Sequence, residues 1–164
     1  MGAPIGSGAM RAVAVVIALA GALALSGCGG GGGGERSALS LKLAALCEQA
    51  RSDFEELGPP EREGFDVIPK LVKIGLRLAS TIATLEGESD VDREQIRTLA
   101  SRYESYWKEI DLGYGFYELG NAKGLKAAVE QATPELEAAE ALATQMGAPE
   151  CAERPFGDLR SLSR

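Results

Sequence analysis

There is no histidine anywhere in this chain of 164 residues. That absence removes the side chain that most often serves as general acid or base near neutral pH. With it go the Ser-His-Asp arrangement, the inward Glu-x-x-His pairs of di-iron bundles and every zinc site that uses imidazole. Cysteine is scarce, at three residues, and aromatic residues number only nine. Basic residues are outnumbered, with 17 Lys and Arg against 24 Asp and Glu and a formal net charge of −7. An acidic chain argues against nucleic acid, which binds through Lys and Arg contacts to phosphate. No apolar run reaches the roughly 20 residues that span a bilayer, and no alternation of period two marks a strand. The Gly-x-Ser-x-Gly elbow of serine hydrolases is missing. The glycine run Gly29–Gly34 lacks the Gly-Lys-Ser/Thr ending of a phosphate loop and follows no strand. Nothing among the acidic residues singles out a catalytic pair, so neither an enzyme activity nor a cofactor is expected.

What the chain does have is helical periodicity broken by Gly and Pro. The first helix is expected from about Ser37 to Leu57, with Leu39, Leu43, Leu46, Cys47, Ala50, Phe54 and Leu57 on one face. Gly58-Pro59-Pro60 stops it. A second is expected from about Asp66 to Glu86, with Ile68, Leu71, Val72, Gly75, Leu78, Ala79, Ile82 and Leu85 inward; Pro69 falls in its first turn, where proline is tolerated. Ser89-Asp90-Val91-Asp92 supplies an N-cap and early acidic residues for a third, whose face is Ile96, Leu99, Tyr103, Tyr106 and Ile110. Gly113 and Gly115 weaken helix beyond that point, so an irregular connection is expected through about Asn121. The last helix is expected from about Ala122 to Met146, kinked at Thr133-Pro134-Glu135 because the apolar phase continues across the proline. Four such helices with short links predict an all-α fold, a four-helix up-down-up-down bundle.

The N-terminal stretch carries a different signal. Arg11 is the one charge before Glu35, and a 14-residue apolar run from Ala12 to Leu25 follows it. Met10 directly precedes Arg11 and offers a second start. The run has the length of a signal-peptide core and shows no polar face that would suit a buried helix. It closes on Leu25-Ser26-Gly27-Cys28, followed by six glycines. This segment resembles the signal sequence and lipobox of bacterial lipoproteins. The resemblance implies that residues 1–27 are removed and that Cys28 becomes an acylated first residue, anchoring the chain to the cell membrane or the outer membrane. Gly29 is not aspartate, so the inner-membrane retention signal of some Gram-negative families is absent. The tether, residues 28–36, would span on the order of 15 Å as a random coil.

On this reading the mature chain has 137 residues, 16 of them basic against 24 acidic. That is one domain, expected over residues 37–151, with a flexible tail at 152–164. An acidic domain has no electrostatic attraction to anionic lipid beyond its covalent anchor. With Cys28 acylated, Cys47 and Cys151 remain as an even pair in an oxidising compartment, which favours a Cys47–Cys151 disulfide over two free thiols. Such a bond contributes up to roughly 4.7 kcal/mol in the chain-entropy model for a loop of about 100 residues. Two cysteines without histidine do not complete a four-ligand zinc site, so no metal is expected. One detail strains the bundle: Cys47 lies about ten residues, or roughly 15 Å, into the first helix. Either that helix begins late, or its first turns overhang the bundle as a membrane-proximal stalk. The overhang is the expectation taken, and it would bring Cys47 level with the end of the last helix.

Three features compete for a functional role. Tyr103, Tyr106, Trp107, Tyr114, Phe116 and Tyr117 hold six of the nine aromatic residues within 15 positions. Tyr103 and Tyr106 fall on the core stripe, which leaves Trp107, Tyr114, Phe116 and Tyr117 as the candidate binding surface. Asp90, Asp92 and Glu94 alternate as in the first half of a calcium loop, but Gln95 stands where that loop needs glycine and Ser101 where it needs glutamate. Glu130, Glu137 and Glu140 lie outside the apolar stripe of the last helix and read as a solvent face. The function expected is therefore a lipid-anchored module that contacts an envelope protein or serves structurally. The alternative is a small-ligand pocket between helices lined by Tyr103, Trp107 and Tyr117.

Overall fold

The computed structural model describes residues 36–58, 60–153 and 159. The expected signal segment, Cys28 and the glycine run lie outside the described residues. Those residues fold as helices without a strand: α1 (Ala38–Leu57), the single turn α2 (Pro60–Glu63), α3 (Ile68–Ile82), α4 (Asp90–Glu118) and α5 (Ala122–Gln145). Short 3-10 turns occupy Phe65–Val67 and Pro149–Ala152.

Helices α1, α4 and α5 each start on a side-chain cap. Ser37 accepts the backbone N–H of Ser40 at 3.0 Å and caps α1. Ser89 and Asp92 form a reciprocal capping box at α4, each side chain accepting the other's backbone N–H at 3.0 Å. Asn121 accepts the Gly124 N–H and caps α5. The expected second helix is shorter at both ends. A 3-10 turn precedes it, and beyond Ile82 the Thr84 hydroxyl bonds the Thr81 carbonyl, a local bond that competes with a further helical turn.

Two expectations about helix ends are corrected. α4 does not stop near Ile110 but runs through Gly113 and Gly115 to Glu118. Gly113 is buried where α5 crosses, and a Cβ there would lie 2.6 Å from the Ala128 Cβ. The close approach of two helices offsets glycine's helix penalty of about 1 kcal/mol. The link to α5 is then a Schellman turn rather than an irregular stretch. Gly120, at φ 79°, gives its N–H to the Tyr117 carbonyl, and Asn121 gives its own to Phe116. α5 itself continues as one helix across Pro134.

The first turns of α1 do not overhang. α5 ends in a second Schellman turn, with Gly147 at φ 84° bonding the Thr144 carbonyl and Ala148 bonding that of Ala143. Gly147 lies against buried Ser40 in the first turn of α1. The chain reverses there, and the 3-10 turn Pro149–Ala152 packs back along α1. Cys151 reaches Cys47 by doubling back, which is why the partner sits ten residues into the helix.

α4 packs along both α3 and α5, while α1 packs on α3 and on the turn after α5. α4 and α5 run antiparallel, since Gly113 meets Leu125 and Arg102 pairs with Glu135 at 3.0 Å. The core gathers Leu43, Ile68, Leu71, Ile82, Leu99 and Ile110, all essentially without exposed surface. The tail is not wholly unattached: Leu159 is 5% exposed and belongs to this core.

Candidate functional site

Four side chains were candidates for a binding surface, and the structure separates them. Trp107 is removed from that set, being 3% exposed. Its indole fills the space over Gly75, stacks on Phe54 with ring centroids 5.5 Å apart and meets the edge of Tyr106 at 4.8 Å. Residues 103, 106, 107 and 110 follow i, i+3, i+4, i+7 spacing, so the helical pattern itself admits Trp107 to the buried stripe. Tyr114 and Tyr117 are half-buried. Tyr117 packs on Phe65 at 4.4 Å and lies 6.1 Å from Tyr114. Partial burial, then the negative charges of Glu118 and Asp66, push the Tyr114 phenol above its ordinary value.

Phe116 alone of the four is exposed, at 39%, and it has company that aromatic counting misses. Leu112 is 54% exposed and Leu119 is 84% exposed. Positions 112, 116 and 119 share one helical face, giving an apolar stripe at the C-terminal end of α4. The signal was present as i, i+4, i+7 spacing, hidden by the expectation that helix would fail at Gly113.

The second feature is a cavity of about 60 Å³ beside the Cys47–Cys151 disulfide, whose Cα atoms are 5.0 Å apart across 104 positions. Phe54, Tyr103, Tyr106, Trp107, Val129 and Leu136 form its apolar wall. Tyr103 and Trp107 are thus brought together as the ligand-pocket reading required, while Tyr117 is not. The volume holds a few water-sized groups and falls far below the roughly 300 Å³ of an open ligand pocket. Tyr103 donates its hydroxyl proton to the Cys151 carbonyl at 3.2 Å. Burial, then the charge of Glu140, raises its phenol well above the ordinary value. Glu140 therefore departs from the expected solvent face: it is half-buried and lines the cavity.

The cavity rim also carries Glu150 and Glu153, which the sequence did not mark. Arg36 pairs with Glu150 and Arg51 with Glu153, stitching the turn after α5 to the start and middle of α1. Its own backbone N–H and the Arg36 guanidinium hold the Glu150 carboxyl below its ordinary value. That shift is opposite to the one a general acid needs. Ser105 and Lys108 on α4 have Ser-x-x-Lys spacing. Both are exposed, and Lys108 pairs with Glu104 at 2.5 Å rather than with Ser105. Among the described residues, no group of three or more Cys, Asp or Glu side chains is arranged to hold a metal ion, and no helix is long and apolar enough to cross a membrane.

No family model, curated protein or solved structure matches this chain.

Proposed function

We propose that this chain is a lipid-anchored, extracytoplasmic helical module that works by contact with another envelope protein, held to the membrane through acylated Cys28. The carrying observation is how the three cysteines divide. Cys28 closes a lipobox-like segment, and the other two are joined across the domain. A disulfide that closes so long a loop supports an oxidising compartment, the compartment to which a lipoprotein signal would deliver the chain. No catalytic role is part of this reading.

The apolar stripe on α4 is the contact surface we infer. The tether joins the domain at Arg36, beside the start of α1 and the Gly147 reversal, where Arg36 pairs with Glu150. Phe116 packs against Gly124 at the opposite end of α5, roughly 30 Å away along that helix. That separation puts the stripe at the opposite end of the domain from Arg36. A large exposed apolar group at the end of a helix suits a contact hot spot better than a solvated face does.

Site-specific photo-crosslinking in the native envelope tests this. A crosslinker at Phe116 or Leu112 is expected to trap one discrete protein band. The same group on the exposed residue Val91, at the start of α4, should trap none. Crosslinking from Val91 alone, or from none of the three, would remove the stripe as the contact surface.

A further inference from the structure

We propose that Phe65, Tyr114 and Tyr117, with the carboxylates of Asp66 and Glu118, form a binding site for a small organic cation bearing a methylated ammonium group. The site goes beyond the contact reading and does not rest on it. Helical spacing puts Tyr114 and Tyr117 on the opposite side of α4 from Leu112 and Leu119. Two elements supply the site. Phe65 and Asp66 belong to the 3-10 turn Phe65–Val67 before α3, and Tyr114, Tyr117 and Glu118 to the last turns of α4. The fold gathers their rings, with the Tyr117 centroid 4.4 Å from that of Phe65 and 6.1 Å from that of Tyr114. Spacings this short let one cation engage more than one ring, since a ring attracts a cation out to about 6 Å from its centroid. All three rings pack on the core, yet all three stay half-buried rather than sealed as Trp107 is.

The charge around the rings selects the ligand. Asp66 and Glu118 are exposed, one next to Phe65 in the chain and the other next to Tyr117. Among the described residues, neither is in an ion pair. Both carboxylates oppose ionisation of the Tyr114 phenol, which places them near the same ring. The ring faces are themselves negative, so the field in the site has one sign and an anion is repelled. A primary ammonium is compact and strongly hydrated, and it loses much of that hydration on an aromatic face. A methylated ammonium presents methyl groups to the rings and keeps its charge for the carboxylates, which favours it over the unsubstituted ion.

The test uses the full chain and tetramethylammonium chloride, titrated against sodium chloride at constant chloride. Ring-proton NMR signals of the four tyrosines are the readout. Tetramethylammonium should give saturable shifts at Tyr114 and Tyr117 and leave buried Tyr103 and Tyr106 unmoved. Ammonium chloride should need a concentration about threefold or more higher. tert-Butanol, which has similar bulk without the charge, should give no saturable shift. Asp66→Asn combined with Glu118→Gln should weaken tetramethylammonium about fivefold or more. Tyr117→Leu should weaken it about threefold or more, and Tyr117→Phe, which keeps the ring face, should bind as the unaltered chain does. The proposal is overturned if no shift saturates, or if ammonium or tert-butanol matches tetramethylammonium. It is overturned equally if the paired charge variant binds as tightly as the unaltered chain, or if Tyr117→Phe loses as much as Tyr117→Leu. Should Tyr117→Leu fail to fold, the paired charge variant decides, because both of its positions are exposed.

Discussion

Gly75 presents only hydrogen where the indole of Trp107 lies, and a Cβ built there would sit 2.0 Å from the Trp107 Cε2 atom. A rigid buried ring cannot give way by that much without repacking Phe54 and Tyr106, which it touches. Gly75→Ala should therefore destabilise the domain by about 1–3 kcal/mol, although alanine favours helix over glycine. Thermal unfolding with Trp107 emission as the probe checks this; a more stable variant with unchanged emission would show the contact is not as described. Charge at single residues matters in a different window. The folded-state value of Glu150 is lowered, so its stabilising contribution is present above the ordinary carboxylate value of about 4.5 and is lost as pH falls through the lower folded value. Glu150→Gln should be less stable than the unaltered chain at neutral pH, and the gap should close in acid. Chemical denaturation across pH measures it, and a gap independent of pH would contradict the Arg36 pairing.

Helix boundaries show what a sequence pattern carries and what it cannot. The core faces of α1 and α3 follow directly from apolar spacing, since burial of one stripe is a local property of the pattern. Caps at Ser37 and Ser89 are equally local. The run of α4 through Gly113 is not, because the reason for that glycine lies on α5. Gly115, two residues on, has nothing within 4 Å of an added Cβ. The pair makes a sharp prediction. Gly115→Ala should stabilise by up to about 1 kcal/mol through helix propensity, while Gly113→Ala should cost about 1–3 kcal/mol by forcing α5 away. Equal effects in thermal unfolding would mean that the helices do not meet at Gly113. Misjudging Gly113 also concealed the stripe of Leu112, Phe116 and Leu119, because an irregular chain has no faces.

For the molecule as a whole, the all-α class and the cysteine pair were legible, and the path that joins them was not. Pairing Cys47 with Cys151 requires the reversal at Gly147, a positive-φ turn seated on Ser40, and spacing along one helix does not reveal such a contact. The same reversal brings Glu150 to Arg36 and Glu153 to Arg51. Leu159 was equally hidden, since a lone leucine in a polar tail carries no periodicity. These late contacts convert a set of helices into a closed domain with Arg36 at one end and an apolar stripe at the other.

The central claim, an acylated extracytoplasmic domain closed by one disulfide, meets its most direct test in the intact mass of the protein extracted from its own envelope without reductant. The account predicts a chain that begins at Cys28, carries acyl mass on that residue, and takes up no alkylating reagent at Cys47 or Cys151 until reduced. A chain that retains the residues before Cys28 with an unmodified thiol, or one that alkylates at Cys47 and Cys151 before reduction, would contradict it.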